Sequence, residues 1–214
     1  MAVNEQPPAD PPPGDPDGLQ LDFSRRSFLK TVGVGPLAAG VLAAREAEAQ
    51  AAARTFGPGE VPIALTVNGK TYRVSVEPRV TLLDAVRTRL DLTGQKRVCD
   101  RGSCGACTML VDGRSVYACS VLAIEAQGKE IRTVEGLAEG TVLHPVQQAL
   151  CDHDGLMCGF CTPGFVMSTV ALLEKNPRPT AEEARAALDG NICRCGTYPR
   201  VLAAALDAQG GRRG

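Results

Sequence analysis

No tryptophan occurs in this sequence of 214 residues, and Phe and Tyr together number only 8 (5 and 3), so aromatic chemistry is not what distinguishes it. Neither charge sign dominates: 23 basic residues stand against 24 acidic ones. Four of the basic and seven of the acidic residues precede Gln50, leaving 19 against 17, a net of +2, for the rest. That balance gives no basic footprint for nucleic acid. No apolar run approaches the ~18 residues that a membrane-crossing helix needs. Histidine is limited to His144 and His153, and neither shares a fitting loop with the later cysteines, Cys158 to Cys195. A Rieske centre, which takes two His ligands, is therefore excluded. Against these absences stand nine cysteines.

The first 49 residues read as an export leader. Residues 1–20 are rich in Pro, Asp and Gly and offer little to bury, so no packed structure is expected there. Arg25-Arg26 then precede Phe28, Leu29, Lys30 and the small apolar stretch 31–44, and Ala47-Glu48-Ala49 supplies a small-x-small cleavage pattern. This order of charged, apolar and cleavage segments predicts a twin-arginine signal peptide cut after Ala49, with Ala51-Ala52-Ala53 as a second possible point, and a periplasmic destination. Residues 50–60 are expected to form a loose lead-in.

Cys99, Cys104, Cys107 and Cys119 read C-x4-C-x2-C-x11-C, and the first three have the spacing of a plant-type [2Fe–2S] ferredoxin loop. Gly102 and Gly105 lie between the thiols, where the backbone must come close to a cluster's sulfides. The flanks agree. Two alternating runs, Ile63 to Val67 and Tyr72 to Val76, meet at Asn68-Gly69, a hairpin signal. Leu82, Leu83, Val86 and Leu90 share a helical face within residues 81–90. Asp112-Gly113 marks a second hairpin, and 130–134 reads as a last strand.

Cys158, Cys161, Cys193 and Cys195 read C-x2-C-x31-C-x-C in helical surroundings. Residues 142–150 are helically periodic. Thr162-Pro163 predicts a helix start, with Thr162 as the cap, and Asn176-Pro177 its end. Thr180 and Glu183 form a capping box for a helix stopping at Gly190, and Thr197 can cap a last helix carrying Val201 and Leu202. Four short helices are expected, with C-x2-C at one helix start and C-x-C at a turn between two others. Taken alone, this second group fits a four-cysteine zinc site about as well as an iron–sulfur centre. Disulfides fit both groups poorly, because Cys193-Arg-Cys195 is too tight for an easy mutual bond. Cys151 belongs to neither group. It reads as a helix-end or buried thiol rather than as half of a Cys-x-His metal pair with His153.

The stretches "CDRGSCGACTMLVDGRSVYAC", "HPVQQAL", "CGFCTPGFVMS" and "GNICRCGTYPR" resemble the iron–sulfur subunit of the molybdenum hydroxylases, the xanthine oxidase and aldehyde oxidoreductase family, over about residues 61–208. The resemblance implies an α+β chain: a β-grasp ferredoxin-like domain at 61–135, then a four-helix bundle domain at 141–208, each holding one [2Fe–2S] cluster. It implies that Cys158, Cys161, Cys193 and Cys195 hold the cluster proximal to a molybdopterin cofactor, in its cytosine dinucleotide form, on a large partner subunit. Cys99, Cys104, Cys107 and Cys119 would hold the distal cluster. Cys195 and Gln147 would lie near the pterin. Electrons would pass from molybdenum through both clusters to FAD on a third subunit, or to the haem of a cytochrome c, as aldehydes or N-heterocycles are oxidised, with no catalytic residue on this chain. One position departs from the family pattern: Met157 replaces a Gln that hydrogen-bonds the pterin, and a thioether cannot donate. A chain carrying clusters assembled in the cytoplasm has reason to be exported folded. A free-standing exported ferredoxin and a zinc-stabilised binding module are the rival readings.

Overall fold

The computed structural model describes residues 56–210, which belong to one compact unit; the leader and its arginines lie outside the described residues. The first half is a five-stranded mixed sheet. Its strands are β1 (Val61–Val67), β2 (Lys70–Val76), β3 (Thr108–Val111), β4 (Arg114–Tyr117) and β5 (Glu130–Arg132), in the order β2-β1-β5-β3-β4. Neighbours are antiparallel except β1 and β5, which run parallel. Both hairpins turn where Asn-Gly and Asp-Gly predict. Asn68 (φ 50°) with Gly69 (φ 74°), and Asp112 (φ 49°) with Gly113 (φ 74°), supply the paired left-handed residues that suit a twisted hairpin.

Helix α1 (Leu82–Arg89) begins at Thr81, whose hydroxyl accepts from Asp84 N–H at 3.1 Å. It buries Leu82, Leu83, Ala85 and Val86 against Ile63, Leu65 and Val67 of β1 to form the first core. The predicted strand 130–134 is shorter than expected. Thr133 N–H is taken by the Asn68 side chain at 2.9 Å, and residues Val134–Gly136 form a 3-10 turn.

The second half holds α2 (Pro145–Asp152), α3 (Thr162–Lys175), α4 (Ala181–Leu188) and α5 (Tyr198–Asp207). In spatial contact, α2 meets α3 and α5, and α4 meets α3 and α5. The Thr180–Glu183 capping box forms as the sequence predicts, with bonds of 3.2 and 2.7 Å. A second box caps α2. His144 Nδ1 accepts from Val146 N–H at 3.2 Å, and Gln147 Oε1 accepts from His144 N–H at 3.0 Å. Burial lowers the pKa of His144, which favours the unprotonated ring that this cap requires.

Two expected caps differ. Helix α3 starts one residue early, so that Cys161, not Thr162, stands at its N-cap, with no side-chain cap bond. Thr197 stands at the N-cap of α5 but makes no cap bond either. In both cases the side chain is engaged elsewhere, with Cys193.

Strand β3 joins the halves. All four of its residues are buried. Met109 and Val111 enter the first core, while Leu110 points the other way into a second core with Val146, Phe165, Met167 and Val201. The period-2 alternation of a strand thus feeds both cores. Burying Leu110 alone is worth about 1.5–3 kcal/mol. Among the described residues no helix is long and apolar enough to cross a membrane.

Candidate iron–sulfur centres

All nine cysteines are unpaired, so neither group is tied up in disulfides. The first group lies on the loop between α1 and β3, with Cys119 just after β4. Its thiols meet in twos: Cys99 with Cys104, and Cys107 with Cys119. Asp100 (φ 57°), Gly102 (φ 70°) and Gly105 (φ 70°) hold the loop in repeated left-handed turns. Those turns aim backbone donors at sulfur. Gly102 N–H points to Cys119 Sγ at 3.2 Å and Ser103 N–H to Cys99 Sγ at 3.4 Å. The backbone N–H of Arg101 is the main reason that Cys99 falls to about 6, against some burial and with help from Ser103. Cys107, inside the protein, is pushed up to about 12, chiefly by burial.

The second group repeats the arrangement with different elements. Cys161 is the N-cap of α3, Cys158 precedes it, and Cys193 and Cys195 lie on the turn between α4 and α5. Cys158 meets Cys195, and Cys161 meets Cys193. The outer pair, Cys158 and Cys195, is exposed; Cys193 is buried and Cys161 half-buried. Phe160 N–H is the first cause lowering the pKa of Cys158. Burial pushes Cys161 up to about 12, with Cys193 adding to it. Burial also raises Cys193, but the hydroxyl and backbone of Thr197 outweigh it and hold that thiol at about 7.

A [2Fe–2S] cluster asks for two thiolates on each of two irons, and both groups offer two pairs.

The two groups stand back to back across one hydrogen bond. Ile192 N–H, next to Cys193, donates to the carbonyl of Cys104 at 2.9 Å. Around it lies a polar seam. Asn191, 3% exposed, donates to Gly105 O at 3.0 Å and accepts from Ser168 Oγ at 2.7 Å. Tyr117 Oη donates to Gly190 O at 3.0 Å. These contacts were not read from the sequence. The available signal was Asn191, a polar residue inside the "GNICRCGTYPR" motif.

The other predicted positions are placed as follows. Gln147 is half-buried in α2, with its oxygen used in the cap described above. Met157 is 65% exposed next to Cys158. Leu156, Phe160, Ile192 and Tyr198, in the segments carrying the second cysteine group, are large apolar residues that are also exposed. Cys151 is exposed in the last turn of α2, so it is a helix-end thiol rather than a buried one. His153 faces Asp207 at 3.2 Å.

The chain is similar to known iron–sulfur proteins. Residues 66–157 match a family described as "2Fe-2S iron-sulfur cluster binding domain", and residues 133–206 one described as "[2Fe-2S] binding domain". The aldehyde oxidoreductase iron–sulfur-binding subunit of Escherichia coli O157:H7 is 43% identical over 218 residues, covering 95% of each chain. The xanthine dehydrogenase iron–sulfur-binding subunit of the same organism is 43% identical over 152 residues, covering 70% of this chain and 94% of its own. Among solved structures, a chain of quinoline 2-oxidoreductase from Pseudomonas putida 86 superposes with a TM-score of 0.70 at 42% identity, over 73% of this chain and 98% of that one.

Proposed function

Because the chain belongs to the iron–sulfur-binding subunits of the molybdenum hydroxylases, we propose that it carries electrons from a molybdenum-containing partner subunit through two [2Fe–2S] clusters to a further acceptor. The observation that carries this reading is the pair of four-thiol sets joined back to back through Ile192 N–H and Cys104 O. In it, Cys158, Cys161, Cys193 and Cys195 ligate the proximal cluster, and Cys99, Cys104, Cys107 and Cys119 the distal one. The clusters supply one-electron chemistry; this chain's residues hold them, exclude water from the inner thiols and fix their separation. Residues 61–135 act as a β-grasp ferredoxin-like domain and 141–208 as a four-helix bundle.

The large subunit, bearing the molybdopterin cofactor, docks over Cys158 and Cys195. The exposed Leu156, Met157, Phe160, Ile192 and Tyr198 support this, since an exposed apolar patch rimmed by polar residues marks an interaction surface. Met157 then meets the cofactor's surroundings as an apolar contact, while Gln147 retains an amide nitrogen to offer the pterin side. The acceptor is FAD on a third subunit or a cytochrome c. The substrate is an aldehyde or an N-heterocycle; aldehyde oxidoreductase and quinoline 2-oxidoreductase among the relatives support both classes.

Anaerobic purification tests this reading. The expected product is a complex with a molybdenum-containing chain, about four irons per copy of this chain, and visible absorption bleached by dithionite. Colourless protein holding zinc would overturn it, and isolation of a loaded chain without a large partner would favour a free carrier.

The chain is also proposed to travel to the periplasm folded, by the twin-arginine route, with cleavage after Ala49. Arg25-Arg26 before an apolar run supports this. Replacing both arginines with lysine is expected to leave a precursor with intact clusters in the cytoplasm. Fractionation that still found the double variant in the periplasm would sink the idea.

A further inference from the structure

We propose that Thr197 is a potential-setting residue of the proximal centre: its hydroxyl hydrogen-bonds the sulfur of Cys193 and makes that cluster easier to reduce. The inference rests on the cluster assignment above. Thr197 Oγ1 lies 3.2 Å from Cys193 Sγ. Both residues are inside the protein, Thr197 at 4% and Cys193 at 6% exposure, so water does not compete for the bond. A cluster-bound cysteine is a thiolate, which can only accept, so the hydroxyl must donate.

Three further observations make this bond more than incidental. Thr197 occupies the N-cap of α5, where a threonine hydroxyl ordinarily accepts from the helix, yet here it makes no cap bond. The stabilisation that cap would bring, typically about 1 kcal/mol, is forgone. The backbone N–H of Cys193, which could otherwise turn towards a sulfur, is drawn away by Tyr198 Oη at 2.7 Å. Tyr198 is in turn set edge-on against Phe165, with ring centres 6.0 Å apart. Adjacent residues Thr197 and Tyr198 thus grip Cys193 at its sulfur and its nitrogen. Backbone N–H groups approach the sulfurs of both centres, Gly102 and Ser103 in the distal one and Phe160 in the proximal one, but at the distal centre the hydroxyl of Ser120 is exposed and 3.8 Å from Cys119 Sγ, against the buried 3.2 Å contact of Thr197.

A donor on a ligand sulfur withdraws negative charge and favours the reduced, more negative cluster, so hydrogen bonds to sulfur help set the potential. The bond is present in both oxidation states, so only its strengthening on reduction moves the equilibrium, and its loss is expected to shift that equilibrium by up to about tenfold. Tenfold is about 59 mV for a one-electron couple. The change is confined to the cluster that Cys193 ligates.

The test is a redox titration of the intact complex, followed by paramagnetic resonance, for T197V, T197S and S120A. Expected for T197V is a proximal midpoint lower by up to that amount and an unmoved distal midpoint. T197S should restore the native value, and S120A should leave the proximal midpoint alone. An unchanged proximal midpoint in T197V with four irons bound overturns the proposal. If T197V does not hold the proximal cluster, T197A takes its place. Loss of the cluster in T197V and T197A with retention in T197S supports the hydroxyl, whereas loss in T197S as well overturns it in favour of packing. Absence of iron from the unsubstituted protein would instead overturn the cluster reading itself.

Discussion

Replacing Cys195 with serine is expected to reduce turnover with an external acceptor to background while leaving the distal centre loaded. Cys195 and Cys158 form the exposed pair of the second group, and Met157, next to Cys158, is exposed as well. A serine there cannot match the soft thiolate that iron–sulfur ligation takes. The partner's molybdenum should still be reduced by substrate, with nowhere to pass the electrons. Cys119→Ser should also abolish turnover, yet leave the proximal cluster reducible by substrate, because Cys119 pairs with Cys107 in the other group. Rapid-freeze paramagnetic resonance of the two variants, mixed with substrate, distinguishes the cases. Normal reduction of the distal cluster in Cys195→Ser would show that electrons enter elsewhere, and the proposed order would be wrong.

The second large effect is expected at Gly164. It lies in the first turn of α3, where replacing glycine by alanine ordinarily stabilises a helix by about 1 kcal/mol. Here the sign should reverse. A Cβ on Gly164 would collide with the carbonyl of Gly105 and come within 2.9 Å of Asn191 Nδ2 and 3.1 Å of Ala106 Cα. Two of those three atoms are backbone of the first thiol loop, so neither a rotamer change nor solvent can relieve the contact. Overpacking of this kind costs about 1–3 kcal/mol, enough to cancel the propensity gain or exceed it. Because the contact lies on the seam between the two centres, electron passage between them should slow as well. Gly59→Ala is the control, since its added Cβ meets nothing within 4 Å. A thermal unfolding midpoint raised by Gly164→Ala would show that the seam yields and that helix propensity rules.

The seam also explains why the sequence was informative about each half and silent about their union. Hairpins at Asn68-Gly69 and Asp112-Gly113 follow from local backbone preference, since both residues of each pair adopt positive φ. The Thr180–Glu183 box is equally local, its bonding partners being three residues apart. The division of cysteines into two groups of four was visible because the spacings C-x4-C-x2-C and C-x2-C with C-x-C are short-range constraints on loops. The long gaps within each group, eleven residues before Cys119 and thirty-one before Cys193, are closed only by the tertiary structure, where Cys107 meets Cys119 and Cys161 meets Cys193.

Where two parts of the chain compete for one side chain, local rules failed. Thr162 was the better cap by residue type, yet Cys161 takes that position because its thiol must face Cys193, 32 residues away in the chain. Thr197 gives up its cap for the same sulfur. Asn191 and Gly105 are 86 residues apart in sequence, and Tyr117 and Gly190 are 73. No periodicity or spacing encodes such pairs. The amino-acid sequence by itself determined the elements, their turns and the two sets of thiols, because those depend on neighbours within a few residues. Only the tertiary structure decided which thiol pairs with which, which hydroxyl reaches a sulfur and how closely the two loops approach, because these depend on β3 sending Leu110 into one core and Met109 into the other.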